Sequence, residues 1–383
     1  MSTFTYHLPT KIVFGKAAGE AAAEQLDDLG ARRVLVISDP GLAQLGMVQD
    51  LAQALEAQGK TVQTFTEVSS NPTTDEVGAA LALAREVDAE ALVALGGGSP
   101  IDVGKGVALL LANGGTYADY QWGGKAITER SWPLIAVPTT AGTGSEVSKV
   151  AVVADPENPF KKGVLSPLMF PHVAVLDPAL TCGLPPTLTA ATGMDAFIHA
   201  LEAYVGQRAN PHTDRLALDA LETTWTYLPR ATTNGDDLEA REQMMLAALW
   251  AGTAMDHAGL GLIHALSGPI TSHLHLHHGL TNALLLPYVL RYNLPALPEA
   301  RRRALNHVAG LPADADGEAL VGAMTQFVRD LGLPTRLDEL DVALDEVDWD
   351  VVAEETTRMV LIHNNPREAS VGDCRGLVEE MVG

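Results

Sequence analysis

The stretch ALVALGGGSPIDVGKGVALLLA, residues 91–112, decides how the first half of the chain folds. An unbroken apolar run meets three glycines, Ser99 and Pro100, and a helical pattern follows. A continuous run, unlike an alternating one, is the mark of a strand buried on both faces. Outward from it lie further short apolar runs: IVF (12–14), VLVIS (34–38), TVQTF (61–65), PLIAVP (133–138) and VAVLD (173–177). Helical patterns near 17–29, 47–58, 74–87 and 100–112 separate them. Strand–helix alternation of this kind predicts a parallel sheet with helices on both faces. From Pro185 and Pro186 onward strand signals vanish and amphipathic helices follow one another. The boundary falls near 182–186, giving an α/β domain over 1–183 and an all-helical domain over 184–383.

In an open parallel sheet, ligands sit at the carboxyl ends of the strands. After ALVAL, the glycines let backbone approach a phosphate, and the helix start offers free N–H groups. Gly97, Gly98 and Ser99 are therefore a candidate pyrophosphate cradle, although a bare tight turn has the same composition. VLVIS ends at Asp39, whose carboxylate can accept from a ribose 2′-OH and repels a 2′-phosphate, favouring NAD over NADP. Asp39 is equally a turn-former before Pro40. PLIAVP runs into TTAGTGSE (139–146), rich in hydroxyls and glycine, and Lys162 is either a cation for the cofactor or a solvated surface lysine.

The second half carries ATGMDAFIHALEAY, residues 191–204. Met194, Phe197, Ile198, Leu201 and Val205 recur at intervals of three and four, one apolar helical stripe. Asp195 and His199, four apart, stack on one helix face and can grip a cation without backbone distortion. In isolation such a pair is more often a plain helical hydrogen bond. A second segment, GLGLIHALSGPITSHLHLHHG (259–279), sets His264 among leucines and then offers His273, His275, His277 and His278. A buried imidazole needs a partner or a metal. One helix giving Asp and His, another giving one or two His, is how helical cores build metal sites. A carboxylate with neutral imidazoles suits Fe(II), Zn(II), Co(II) or Ni(II) over Mg or Ca.

Composition narrows the rest. The 383 residues are 47% hydrophobic and 19% charged, an ordinary globular balance long enough for two or three domains. With 25 Lys plus Arg against 48 Asp plus Glu, the formal charge is −23, a field that repels nucleic acid and anionic lipid. Two cysteines, Cys182 and Cys374, form no CxxC motif and no disulfide framework. The start, MSTFTYHLPTK, lacks the pattern of a signal peptide, and no run of eighteen apolar residues exists. A cytoplasmic protein is expected.

The motifs GGGSPxDxxK (96–105), PTTAGTGSEV (138–147), ATGMDAFIHALEAY (191–204), GLGLIHAL (259–266), HHGLTNALLLPY (277–288) and NNPRE (364–368), in this order, make the chain resemble the iron-containing (group III) alcohol dehydrogenases. The resemblance runs nearly end to end. It implies a dehydroquinate synthase-like architecture: an N-terminal dinucleotide-binding domain, a helical metal-binding domain and a divalent metal in the cleft between them. It implies the ligands Asp195, His199, His264 and His278, the last chosen over His277 because the family's final ligand immediately precedes a glycine, here Gly279. Cofactor contacts carry over onto Asp39, Asn71, Gly97, Gly98, Ser99, Asp102, Thr139, Thr140, Thr143 and Lys162.

The implied reaction is reversible hydride transfer between a small primary alcohol or diol and NAD. The implied metal is Fe2+, with Zn2+ or another divalent transition metal as alternatives, in a homodimer or larger homo-oligomer. Two departures stand out. Gly268 occupies the place of a second histidine thought to relay a proton in many members, and His277 replaces a usual proline. His277 or His273 is the expected substitute relay. Met255 stands where many relatives have an aromatic beside the substrate. The alternatives are an oxo-acid reductase of the maleylacetate reductase type and a sugar-phosphate cyclase. Both ask for cations near an anionic substrate, and residues 191–288 offer only Arg208, Arg215, Arg230 and Arg241.

Overall fold

Six short runs do form strands, all parallel, in a computed structural model that describes residues 3–156 and 163–382. They are β1 (Lys11–Phe14), β2 (Arg33–Ile37), β3 (Thr61–Phe65), β4 (Ala91–Gly96), β5 (Leu134–Pro138) and, after a short antiparallel ribbon of β6 (Val150–Ala151) and β7 (Val164–Leu165), β8 (Val173–Leu176). The sheet order is β1-β8-β5-β4-β2-β3. Every residue of central β4 and β5 is buried, which is why those runs carry no polar alternation; edge strand β3 is mostly exposed and reads TVQTF. Helices α1 (Ala18–Asp28), α2 (Pro40–Gln44), α3 (Met47–Ala57), α4 (Thr74–Glu86) and α5 (Gly98–Asn113) cover it.

Successive side chains of a strand point to opposite faces, so β2 and β4 feed two cores at once. Val34, Val36, Val93 and Leu95 pack with α1 and α3, while Leu35, Ile37, Leu92 and Ala94 pack with α4 and α5. Each of these Val, Leu and Ile side chains taken from water contributes about 1.5–3 kcal/mol. From β2 the chain crosses to β3 on one side; from β4 it crosses to β5 and β8 on the other. That reversal opens a crevice at the carboxyl ends of β2 and β4, the usual ligand position in such sheets. Asp39 follows β2, and after β4 Gly97 caps α5, which begins at Gly98 and Ser99.

This unit comprises His7–Thr140 and Gly144–Thr181. It buries Glu146, 3% exposed, in the 3-10 turn Ser145–Val147. Burial drives its carboxyl up to about 7, partly offset by its own backbone and by Lys105. Because the folded value lies above the unfolded one, the stability linked to this proton is present below about 4.5 and lost as pH rises through about 7. At about 1.4 kcal/mol per unit, the loss is on the order of 3 kcal/mol. Calorimetry of Glu146→Gln at pH 5 and pH 8 is expected to show the variant gaining stability relative to the parent at the higher pH. Equal differences at both would refute the assignment.

The second unit comprises the segment up to Tyr6, Ala141–Thr143 and the chain from Cys182 onward. It is helical: α6 (Pro186–Val205), α7 (Pro211–Thr233), α8 (Leu238–Ala258), α9 (Leu262–Leu274), α10 (His278–Asn293), α11 (Glu299–Val308), α12 (Gly317–Asp330), α13 (Trp349–Arg358) and α14 (Val371–Val382). Pro186 opens α6 where its missing N–H costs nothing. α6 is buried along almost its whole length, flanked by α7, α8 and α10. His275, with φ +53°, turns the chain out of α9 so that α10 starts afresh at His278. Among the described residues no helix is long and apolar enough to cross a membrane.

Candidate metal centre

Asp195 stands at the middle of α6, its side chain 5% exposed, and His199 lies one turn further on. α9 brings His264 and the first residue of α10 brings His278. One oxygen is the hub. Asp195 Oδ1 lies 3.6 Å from His199 Nε2, 3.6 Å from His264 Nε2 and 3.9 Å from His278 Nε2. The His199 and His264 rings stack with centroids 4.7 Å apart. Ligand atoms of Asp195, His199 and His264 all fall within 4.8 Å of one another.

The other ring nitrogens explain why the three Nε2 atoms face inward. His264 Nδ1–H donates to Glu202 Oε2 at 2.7 Å, and His199 Nδ1–H donates to the Gly142 carbonyl at 3.3 Å. His278 Nδ1 bonds the Ser267 hydroxyl at 3.1 Å. With Nδ1 engaged, each Nε2 is turned toward the centre, the outer arrangement that orients metal-binding histidines. Asn282, one turn beyond His278, confirms the convergence: its Nδ2 reaches Asp195 Oδ1 at 2.7 Å, His264 Nε2 at 3.1 Å and His278 Nε2 at 3.2 Å. One amide nitrogen is thus within hydrogen-bond reach of three atoms that meet at a point, while the Asn282 Oδ1 is buried with no partner. The residues present fit a divalent transition metal: one carboxylate and three imidazoles converge, with their orientation set from behind.

Burial opposes ionisation of Asp195, but the His199, His264 and His278 imidazoles outweigh it and hold its carboxyl well below the usual range. Burial likewise disfavours charge on His264, yet Glu202 and Asp195 prevail and raise it to about 9. A metal held by His264 would require that proton to leave. His278 is the open edge: its side chain is 45% exposed, against 4–5% for His264 and His199.

Glu202 and Asn282 carry signals that the sequence reading passed over, since each sits three or four residues from a ligand on the same helix face. Glu202 also accepts from Gly261 N–H at 2.9 Å and Ile263 N–H at 2.6 Å, so one buried carboxylate caps α9 and holds its histidine. Asn365, from the NNPRE motif, takes the intervening Leu262 N–H at 3.2 Å. Replacing Glu202 by Gln is expected to weaken metal binding about 10- to 100-fold, read by chelator competition. Unchanged affinity would show that His264 needs no such support.

The remaining sequence-predicted residues fall as follows. The His277 side chain is exposed and its carbonyl accepts from Thr281 N–H at the start of α10. His273 Nε2 is tied to Glu355 Oε2 at 2.9 Å. A Cβ on Gly268 would meet the Met359 methyl at 3.4 Å, so an apolar group faces that position. In the sheet unit, Gly97 caps α5 without a side-chain bond, leaving the first-turn N–H groups for a ligand. Thr140 Oγ1, 3.5 Å from where a Cβ would stand on Gly97, is buried without a hydrogen-bond partner. Thr139 N–H donates to Gly96 O at 3.0 Å, and Ser99 Oγ donates to Ser70 O at 3.0 Å. Asn71 is exposed, and Thr143 half-buried. Asp39 Oδ1 caps α2 by accepting from Leu42 N–H at 3.0 Å. Asp102 bonds Ser145 Oγ at 2.5 Å and Val152 N–H at 2.8 Å. Lys162 lies outside the described residues.

One chain thus holds a parallel α/β unit with an open glycine turn and a helical unit whose carboxylate and imidazoles could hold a metal ion. Residues 9–178 match the family model described as iron-containing alcohol dehydrogenase, and residues 189–382 match that of its C-terminal domain. A 4-hydroxybutyrate dehydrogenase of Cupriavidus necator is 40% identical over 391 residues, covering 98% of this chain and 99% of its own. An NAD-dependent methanol dehydrogenase of Bacillus methanolicus is 34% identical, covering 98% of each chain. A crystallised 1,3-propanediol oxidoreductase superposes with a TM-score of 0.93 at 35% identity, covering 99% of this chain and 100% of its own. The chain belongs to the iron-containing alcohol dehydrogenase family, and the expected parallel sheet and helical second half are both borne out.

Proposed function

We propose that this chain is an NAD-linked alcohol dehydrogenase. It binds Fe2+, or another divalent transition metal, at Asp195, His199, His264 and His278, and interconverts a small primary alcohol or diol with its aldehyde. The observation that carries the reading is the convergence of three Nε2 atoms on Asp195 Oδ1 with every Nδ1 engaged from behind. When bound, the metal supplies Lewis acidity to the substrate oxygen and the nicotinamide supplies the hydride acceptor. The chain's own side chains do the rest. Glu202, Gly142 and Ser267 fix the imidazoles; the buried side of the centre keeps water from it, and the exposed edge at His278 admits substrate. His277, exposed beside that edge, is the proposed proton relay, since His273 is held by Glu355.

For the cofactor, the uncapped start of α5 at Gly97–Ser99 and the orphaned Thr140 hydroxyl support a pyrophosphate cradle. Asp39 keeps Oδ2 for a ribose hydroxyl while Oδ1 caps α2. The NAD-dependent methanol dehydrogenase among the relatives agrees with that choice, and the diol and hydroxy-acid relatives support short primary alcohols, with or without a second polar end, as substrates. Those relatives are oxidoreductases, which favours the dehydrogenase over the cyclase.

The test is protein purified anaerobically, reconstituted with Fe2+, Zn2+, Co2+ or Ni2+, and assayed against alcohols and aldehydes with NAD and NADP. Elemental analysis of the same sample gives the bound metal. NADH formation with a primary alcohol, dependent on metal, is expected. No turnover with any metal would sink the reading, and tighter use of NADP than NAD would overturn the role of Asp39.

A further inference from the structure

Lys105, on α5, is fully buried, yet the metal centre and the glycine turn give it no work. An ammonium withdrawn from water costs several kcal/mol unless its hydrogens and charge are met, and here they are met fully. Its Nζ donates to Ser145 Oγ at 2.8 Å, to Ser148 Oγ at 3.1 Å and to Val150 O at 2.6 Å. Ser145 passes the interaction on, donating to Asp102 Oδ1 at 2.5 Å, and the second Asp102 oxygen accepts from Val152 N–H at 2.8 Å. Asp102 lies three residues before Lys105 on the same helix face, 3.6 Å from it. A methionine of the same length would fill this space at lower desolvation cost, so packing alone does not account for a lysine.

What the cluster joins is two stretches of chain. One is α5, whose first turn, at Gly98 and Ser99, forms half of the proposed cradle. The other is the segment that leaves β5 at Pro138 and runs to Val152. Its near end is pinned where Thr139 N–H donates to Gly96 O at 3.0 Å. Its far end is pinned by Lys105 and Asp102 through Ser145, Ser148, Val150 and Val152. Thr140, with its unpartnered buried hydroxyl 3.5 Å from the Cβ position of Gly97, lies between the two anchors. A hydroxyl is kept in such a place only when the backbone on both sides of it is held.

We propose that Lys105 is a positioning residue for the dinucleotide: with Asp102 it staples the post-β5 segment to α5 and so presets the Thr140 hydroxyl and the Gly97–Ser99 turn as one phosphate-binding surface. Asp102 thereby acts through Ser145 and Val152 rather than by touching the cofactor. The proposal rests on the NAD-binding reading above, and its test separates the two. Lys105→Met removes the charge and all three donors; Ser148→Ala removes one acceptor and Ser148→Thr retains it. Each purified holoprotein is measured for metal content, for NAD dissociation constant, for KM(NAD) and kcat, and, without nucleotide, for hydrogen exchange of amides 144–152.

In Lys105→Met, metal content is expected to hold, the NAD dissociation constant to rise at least about tenfold and exchange over 144–152 to quicken. KM(NAD) rises more than kcat falls. Ser148→Ala lies between, and Ser148→Thr returns toward the parent. Faster exchange with unchanged NAD affinity overturns the proposal, because a merely structural lysine behaves that way. So does a Ser148→Thr protein as impaired as Ser148→Ala. Should Lys105→Met fail to fold, the Ser148 pair decides alone. If the unaltered protein binds neither NAD nor NADP, the cofactor reading falls, and unchanged exchange in the variants would remove the staple as well.

Discussion

Asp195→Ala is expected to leave a folded protein that retains almost no metal and shows no metal-dependent turnover. The carboxylate is the one anionic member of the centre, and its Oδ1 is the atom on which His199, His264 and His278 converge at 3.6, 3.6 and 3.9 Å. Without it, three neutral imidazoles compete for a dication with no counter-charge among them, and the Asn282 amide loses its 2.7 Å acceptor. Loss of an outer partner alone typically costs 10- to 100-fold in metal affinity, so removing the hub should cost more than about a hundredfold by the same scale. Elemental analysis after dialysis against chelator reads the metal, and circular dichroism checks that α6 survives. Full occupancy together with parental activity would take the metal away from these four side chains.

Gly279→Ala should be the most damaging small substitution near the centre. A Cβ there would stand 2.2 Å from the Ala191 carbonyl oxygen and 2.8 Å from its carbon. Both atoms are backbone, so no side chain can swing aside, and α10 must move away from α6. That displacement separates His278, the preceding residue, from Asp195, whose Cβ would be 3.4 Å from the new methyl. Overpacking of this kind costs about 1–3 kcal/mol, which for a unit of roughly 200 residues lowers Tm by about 2–12 °C. Calorimetry is expected to show that drop, with metal content falling in parallel. A variant with parental Tm and full metal would mean that the helices have slack the geometry does not show. The glycine after the last histidine is therefore a packing requirement as well as a sequence marker.

The sheet was legible because its central strands are buried on both faces, which leaves apolar runs no polar neighbour to hide among; ALVAL and PLIAVP are read as strands for that reason. α2 and the β6–β7 ribbon went unread. A five-residue helix and two-residue strands are too short for any period to show, and α2 exists through Asp39 capping it rather than through a pattern. At the centre, Asp195 and His199 were legible because one helix fixes their spacing. Glu202 and Asn282 obey the same spacing rule, yet nothing in a single helix says that a carboxylate or amide one turn from a ligand points at another helix's histidine.

Taken alone, the order of residues determined which segments become strands and helices, where strands give way to helices, and that Asp195 and His199 share a face. The tertiary structure decided what chain spacing cannot. In the run His273, His275, His277, His278, the left-handed turn at His275 starts a new helix, and the packing of α10 on α6, through the contact of Gly279 with Ala191, delivers His278 to Asp195 while His273 turns to Glu355. Periodicity is a local property set by backbone geometry; convergence of side chains from separate helices is set by how those helices pack.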